Sequence, residues 1–156
     1  METLKNVQKE TTQKINDASK RLTEKKSELE SALSYAAIYE ADYNEAGNMD
    51  DRKKALHFLG KAWKLTTAIL AEQETIRWNS RSAALVAKTA LDNSESDSDE
   101  EESNRKAVRY FDGIFTNTTT EQEKTKTEKK KILDRVRKLR TSSAVTVEAA
   151  LEAAAN

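Results

Sequence analysis

Hydrophobic residues recur every seven positions through the first third of the chain, which is the spacing of a helix that packs along another helix. One series comprises Ile15, Leu22, Leu29, Ala36 and Tyr43, and the other comprises Leu4, Thr11, Ala18, Ala32 and Tyr39, with Lys25 as its exception. Most other positions hold Lys, Glu, Gln, Ser or Thr, so only a narrow stripe would be buried. The pattern predicts an amphipathic helix over residues 1–46.

The pattern stops around Gly47 and resumes a few residues later. Glycine can take the left-handed conformation that ends a helix, and Asn48 or Asp50 can cap the helix that follows. The next hydrophobic series comprises Ala55, Ala62, Ile69, Ile76, Ala83 and Ala90, flanked by Leu56, Phe58, Trp63, Leu65 and Leu70. These features predict a second helix over residues 51–91 and a tight antiparallel hairpin, in which residue i lies opposite roughly residue 95 − i.

Polar stretches divide the rest of the chain. Residues 93–103 contain six acidic groups and no hydrophobic side chain, which is typical of a solvated connector. Hydrophobic positions at 108–115 predict a short helix, and the capping-box spacing of Thr118 and Glu121 predicts a second helix that continues to about residue 140. The polar run 141–143 predicts a break before an alanine-rich last segment.

We therefore expect an all-α protein, packed as a bundle or in the manner of a coiled coil. Its parts would be a long antiparallel helical hairpin (1–92), an acidic, serine-rich connector (93–103) and a C-terminal region (104–156) of two or three shorter helices. The absence of proline and the presence of only three glycines favour long helices. Leu, Ile, Val and Phe provide only 28 of 156 residues, so we expect a second copy or a helical protein partner to complete the hydrophobic stripes.

The charges balance, with 27 basic and 27 acidic residues. This argues against a protein whose whole surface attracts nucleic acid or anionic membrane, and against an acidic solvating tail. The sequence shows neither the basic-then-apolar start of a signal peptide nor an apolar run of about 18 residues that would span a bilayer. We expect an intracellular, soluble protein, located in the cytoplasm or in a virion, without membrane insertion.

The sequence offers little for catalysis or for cofactors. It has one histidine, no cysteine, no glycine-rich phosphate loop and no HExxH or GxSxG motif. His57 lies between Leu56 and Phe58 and is interpreted as a packing or surface residue. We expect no catalytic residue, no cofactor and no metal site.

Trp78 is a candidate anchor for an oligomer interface, together with Arg77 and Arg81. Its sequence neighbours are polar, and Asp17, near the predicted opposite position, offers it no hydrophobic cover. Trp and Arg are enriched among the residues that dominate the energy of protein interfaces.

Residues 124–140, here called the basic segment, have a local charge of +7. The segment is a candidate nucleic-acid surface because its cations can lie along phosphates while Ile132, Leu133 and their neighbours pack inward. Its candidate residues are Lys124, Lys126, Lys129, Lys130, Lys131, Arg135, Arg137, Lys138 and Arg140. The acidic connector can neutralise the same cations, and both interpretations stay open.

Three serines of the connector are candidate phosphorylation sites. Ser94, Ser96 and Ser98 each precede an acidic residue by three positions, which is the pattern that acidophilic kinases prefer. The leading hypothesis is a non-enzymatic structural or interaction protein that self-associates by helix packing, as in a viral shell or filament. The alternative is a nucleic-acid-binding assembly factor that uses residues 124–140 and is regulated by phosphorylation of the serine tract.

Overall fold

The computed structural model describes residues 2–93 and 98–155, and it describes side chains over 6–93 and 99–141. Helix α1 spans Glu2–Ala46, α2 spans Met49–Asn93 and α3 spans Ser98–Ala155. Of the described residues, only Gly47 and Asn48 lie outside these helices. The prediction of an all-α protein is confirmed.

The connection between α1 and α2 uses the residues that the sequence indicates. Gly47 has a φ of 68°, the left-handed conformation that an alanine would adopt only with strain, and its N–H donates to the carbonyl of Tyr43 at 2.7 Å. The Oδ1 of Asn48 accepts from the backbone N–H of Asp50 at 2.9 Å, so Asn48 caps α2. Asp50 and Asp51 then lie in the first turn, where their charge favours the helix dipole.

The prediction of two or three short C-terminal helices is wrong, because α3 is a single helix of 58 residues. It begins at Ser98, inside the predicted connector, and continues through both predicted breaks. The hydroxyls of Thr118 and Thr119 donate to the carbonyls four residues earlier, at 2.6 and 2.9 Å. Thr118 therefore lies inside a continuous helix and does not cap a new one.

The buried residues of all three helices follow the seven-residue pattern of a coiled coil, and in α2 they alternate at steps of three and four. In α1 the buried residues belong to the two predicted series. In α2 the series that contains Ala55 is buried as predicted, but its companion comprises Leu59, Thr66, Gln73, Ser80 and Ala87. Over residues 99–141 of α3 the buried positions are Phe111, Thr118, Gln122, Thr125, Ile132 and Leu139. Polar residues thus occupy several core positions of α2 and α3.

Two compact units draw on all three helices. The first comprises Met1–Lys25 with Ala68–Thr125, and the second comprises Lys26–Thr67 with Lys126–Asn156. The hydrophobic core of the first unit comprises Ile15, Ala18, Ile76, Ala83, Ala84 and Phe111, with Leu22, Ala107 and Ile114 packed against it. In the second unit the largest fully buried side chains are Leu59, Ile132 and Thr66.

Aromatic rings join α1 to α2 in the second unit. The rings of Tyr35 and Tyr39 stack on Phe58, with centroids 5.1 and 5.8 Å apart, and the ammonium of Lys54 lies 5.4 Å from the Tyr39 centroid. Higher residue numbers in α1 therefore meet lower numbers in α2, which is consistent with the predicted hairpin. Arg135 of α3 forms a two-pronged ion pair with Glu40 of α1 in the same unit, its Nε lying 3.1 and 3.2 Å from the two carboxylate oxygens.

A cluster of three charged residues joins α1 to α2 in the first unit. Glu72 accepts from Arg21 at 3.0 Å and from Lys25 at 3.1 Å. The Arg21 hydrogen bond is the main reason that the pKa of the Glu72 carboxyl lies below its ordinary 4.5, and Lys25 adds to this effect while burial opposes it. Lys25, the exception to the hydrophobic series of α1, thus has a partner on α2.

Glu72→Gln should lower stability at neutral pH and lose this effect in acid. A carboxyl whose pKa is lower in the folded chain contributes stability above its unfolded pKa, and that contribution disappears as the pH falls through the folded pKa. Urea unfolding at several pH values should therefore show a deficit for Glu72→Gln at pH 7 that shrinks below about pH 4.5. Glu24→Gln, at an exposed position of α1, is the control. A deficit that stays constant with pH would contradict this role of Glu72.

Candidate interaction surface

Two large hydrophobic side chains are exposed on the solvent side of α2 in the first unit. Trp78 is 61% exposed and Leu85 is 56% exposed. Because they are seven residues apart, they lie on the same face of the helix, two turns from each other. The residues at the three- and four-step positions between them, Arg81 and Ser82, are also exposed.

A groove between α2 and α3 adjoins these side chains, with a volume of about 360 Å³. Its walls are Arg81, Ala84, Leu85 and Lys88 from α2, and Val108, Asp112 and Phe115 from α3. Four of these residues line the groove with apolar side chains, and Arg81, Lys88 and Asp112 add charges to the lining. We call Trp78 and this groove the Trp78 surface.

Arg77 supports the Trp78 surface from within the unit. Its guanidinium lies 4.9 Å from the centroid of the Phe115 ring, and its Nε donates to the Thr119 hydroxyl at 3.3 Å. It also pairs with Glu74 at 3.3 Å, and the Glu74 carboxylate accepts from Gln122 at 2.6 Å. Of the three predicted interface residues, Trp78 and Arg81 face solvent, whereas Arg77 fixes the position of the Phe115 ring.

Sequence reasoning did not identify Leu85, Lys88 or the α3 wall of this surface. Leu85 could have been predicted, because it follows Trp78 by seven residues and therefore lies on the same face of the helix. The sequence predicts a short helix that contains Val108 and Phe115, but it does not indicate which residues of α2 that helix contacts. Only the packing of α3 on α2 brings them together.

The cations of the basic segment differ in burial, and several of them contact other residues, exposed ones included. Arg135 pairs with Glu40, the ammonium of Lys129 lies 4.5 Å from the centroid of the Trp63 ring, and Lys124 pairs with Glu121 at 3.3 Å. The exposed members are Lys124, Lys126, Lys130, Lys131, Arg137, Lys138 and Arg140. The Lys129 and Arg135 side chains are therefore half-buried and contribute to packing.

The predicted phosphorylation sites fall mostly outside the described residues. This applies to Ser94 and Ser96, whereas Ser98 is the first residue of α3. In the first turns of that helix, Glu101 pairs with Arg105 at 2.5 Å and Glu102 pairs with Lys106 at 3.7 Å. Phosphorylation of the three serines stays a prediction.

The described part of the chain offers no alternative site with stronger chemistry. It holds no group of three or more His, Cys, Asp or Glu side chains placed to bind a metal ion. None of its helices has the length and apolar character needed to cross a membrane. His57 is exposed, and its ring meets that of Phe58 edge-on at 5.3 Å, in agreement with its interpretation as a packing or surface residue.

Comparison with known proteins finds no family model, no curated sequence and no solved structure that matches this chain. Two surfaces of the described residues are therefore the candidates for a function. One is the apolar Trp78 surface of the first unit, and the other is the cationic part of the second unit.

Proposed function

We propose that this chain is a non-enzymatic structural or interaction protein that self-associates by helix packing through the Trp78 surface. Its core would be an antiparallel hairpin of α1 and α2 on which α3 packs, and the assembled form would be an oligomer or a subunit of a larger structure such as a shell or filament. The observation that supports this most strongly is the joint exposure of Trp78 and Leu85 beside an apolar groove.

The residues around Trp78 suit a contact between two copies of the chain. Ser82 lies midway between Trp78 and Leu85 on the exposed face of α2, and its small side chain permits close approach of a second helix. If two α2 helices cross near Ser82 about a twofold axis, Trp78 of each copy meets Leu85 of the other. Both exposed hydrophobic side chains are then covered by a single symmetric contact, with Arg81 at its rim.

Trp78→Ala should dissociate the oligomer while the fold of each chain persists. Truncation of a central aromatic anchor costs about 2 kcal/mol, which is about 30-fold in the dissociation constant. The measurement is absolute mass by light scattering on a sizing column over a range of protein concentrations. The wild type should elute as a multiple of 17.6 kDa at both low and high salt, because the contact is apolar.

Tyr110→Ala is the matched control, because Tyr110 is 59% exposed, belongs to the same unit and does not line the groove. This variant should keep the wild-type mass. A wild-type chain that stays monomeric at every concentration would refute self-association. Retention of the oligomer by Trp78→Ala would place the contact elsewhere on the chain.

A further inference from the structure

We infer that the second unit binds the phosphate backbones of double-stranded nucleic acid through a cationic face built by α2 and α3 together. This face comprises Lys53 and Lys64 of α2 and Lys130, Arg137 and Arg140 of α3. The inference goes beyond self-association and uses none of the residues of the Trp78 surface.

The contribution of α2 begins with its charge pattern. From Arg52 to Ala71 the helix has five lysines and arginines and no acidic residue. Lys53 and Lys64 are exposed, and neither forms an ion pair with a described residue. They are 11 residues apart, which is about 16 Å along the helix axis. A hydropathy pattern alone does not distinguish these lysines from other solvated residues.

Contacts between α2 and α3 show which side of each helix adjoins the other. Lys129 of α3 lies over the ring of Trp63, so the side of α2 that carries Trp63 adjoins α3 in this unit. Gly60 lies on that side, three residues before Trp63, and Lys53 and Lys64 lie seven residues before and four residues after Gly60. The two lysines therefore lie at the edge of α2 that adjoins α3.

Helix α3 contributes three cations on its side next to α2. In this unit Lys129 marks the side of α3 that borders α2, and Leu133, four residues later, and Arg140, seven residues after Leu133, lie on the same side. Arg137 lies three residues before Arg140, and Lys130 lies seven before Arg137, so the three cations share the side of α3 that borders α2. All three are exposed, and none forms an ion pair with a described residue.

Two exposed carboxylates lie within or beside this face. On α3, Asp134 is exposed between Lys130 and Arg137, and on α2, Asp50 precedes Lys53 by one turn. The acidic residues of α1 in this unit include Glu40, which is held by Arg135. Five cations against two carboxylates leave the face positive although the whole chain is neutral.

The chemistry of the face favours a duplex over other polyanions. Single strands are held by bases stacked on exposed aromatic rings, but Trp63 is half-buried beneath Lys129. Insertion into a membrane surface requires apolar groups among the cations, and among this unit's described side chains the exposed large hydrophobic ones, Tyr35 and Ile38, lie on α1. A duplex presents phosphates from two strands, about nine charges along 15 Å, to two rows of cations. Between residues 53 and 71 and between 126 and 141 there is no Asn or Gln to recognise adenine, so we expect no strong sequence preference.

The salt dependence of binding measures the number of phosphate contacts. Five contacts predict a slope of about −4.5 for the logarithm of the association constant against the logarithm of salt concentration, or about a 500-fold loss of affinity between about 50 and 200 mM salt. The double variant Lys53→Gln/Lys64→Gln, with three contacts left, should show a slope of about −2.7 and lose only about 40-fold over the same range. Lys130→Gln/Arg137→Gln should behave in the same way.

The experiment is fluorescence anisotropy of a short labelled duplex with the full chain and these variants. Lys14→Gln/Lys20→Gln, two exposed lysines of α1 in the first unit, is the control for net charge and should keep the wild-type slope. Gly60 provides a second test in the middle of the face, because a Cβ added there meets no atom within 4 Å. Gly60→Glu should weaken duplex binding, whereas Gly60→Ala should leave it unchanged.

Several results would overturn the inference. These are no duplex binding at low salt, an unchanged slope in Lys53→Gln/Lys64→Gln, or an equal loss in the Lys14→Gln/Lys20→Gln control. Tighter binding to a single strand of the same length, or to vesicles containing anionic phosphatidylserine, would assign the face to that partner instead. Circular dichroism and mass measurements on each variant test fold and self-association separately, so failure of this inference is distinguishable from failure of the Trp78 surface.

Discussion

Ile132→Ala should lower the free energy of unfolding by about 2–5 kcal/mol, whereas Ile38→Ala should lower it by less than about 0.5 kcal/mol. Both residues belong to the second unit and undergo the same chemical change. Ile132 is 2% exposed in the core, where truncation removes buried methyl groups and leaves a cavity, while Ile38 is 56% exposed. Both variants change helix propensity and side-chain chemistry alike. The difference between their free energies of unfolding therefore measures how well Ile132 of α3 is packed.

Urea unfolding followed by circular dichroism gives both values. If the free energy of unfolding keeps the same slope against urea concentration, the compactness of the folded and unfolded chains is unchanged. The measurement should be made at a protein concentration where the wild type is monomeric, because oligomer formation adds to apparent stability. A loss below 1 kcal/mol for Ile132→Ala would mean that the basic segment does not pack with its apolar strip inward. That result would also remove the basis for placing Lys130 and Arg137 on the solvent side of α3.

The first helix shows how much of this fold can be predicted from sequence. The buried residues described in this helix all belong to its two predicted series, and the helix ends where Gly47 takes its left-handed conformation. Contacts such as Tyr35 with Phe58 are consistent with the predicted register of the hairpin. Hydrophobic side chains at steps of seven favour a helix with one buried stripe, and a glycine after the last of them favours a helix end. Together they disfavour another local structure.

Polar core positions explain where sequence reasoning failed. Thr66, Gln73 and Ser80 are fully buried in α2, but a hydropathy pattern cannot distinguish them from solvated residues. In α3, Thr118 and Thr125 occupy core positions in the middle of the chain's most polar stretch, which concealed the continuity of the helix. Their burial depends on partners in other helices, and a single-sequence pattern contains no record of those partners.

The candidate surfaces were predictable to different extents. Exposure of Trp78 followed from its polar sequence neighbours and from Asp17 near its predicted opposite position in the hairpin. The groove beside it requires Val108 and Phe115 to pack next to Leu85, and the cationic face requires Lys53 and Arg137 to belong to one unit. Both depend on how α3 packs on α2, and therefore on the polar core positions that the sequence pattern hides.

Those polar positions lead to the second large effect, at a buried hydrogen bond between α2 and α3. The Gln73 side chain is fully buried and donates from Nε2 to the Thr125 hydroxyl at 3.0 Å, while its Oε1 has no partner among the described residues. Thr125→Val keeps the side-chain volume but leaves the whole Gln73 amide without a partner. This should cost about 1–3 kcal/mol, the penalty for a buried polar group left unpaired.

The double variant Gln73→Leu/Thr125→Val should recover most or all of that loss, because replacing both members of a buried polar pair by apolar groups of similar shape is close to neutral. A double-mutant cycle by urea unfolding should therefore give a coupling energy of about 1–3 kcal/mol. Thr120→Val is the control, because Thr120 is exposed on the same helix and, like Thr125, donates its hydroxyl to the carbonyl four residues earlier. It should change stability by less than about 0.5 kcal/mol.

The outcome of this cycle decides why the chain retains polar residues in so thin a core. If the double variant is as stable as the wild type, the Gln73–Thr125 pair contributes little net stability, and its role is to fix the register of α3 on α2, as single polar positions do in coiled coils. The variant would then keep its melting temperature but admit alternative registers, visible as broadened side-chain resonances in NMR spectra. If it is instead less stable than Thr125→Val alone, the pair is a net stabilising contact, and the register of α3 on α2 depends on other contacts between these helices, such as Gln122 with Glu74 and Arg77 with Thr119.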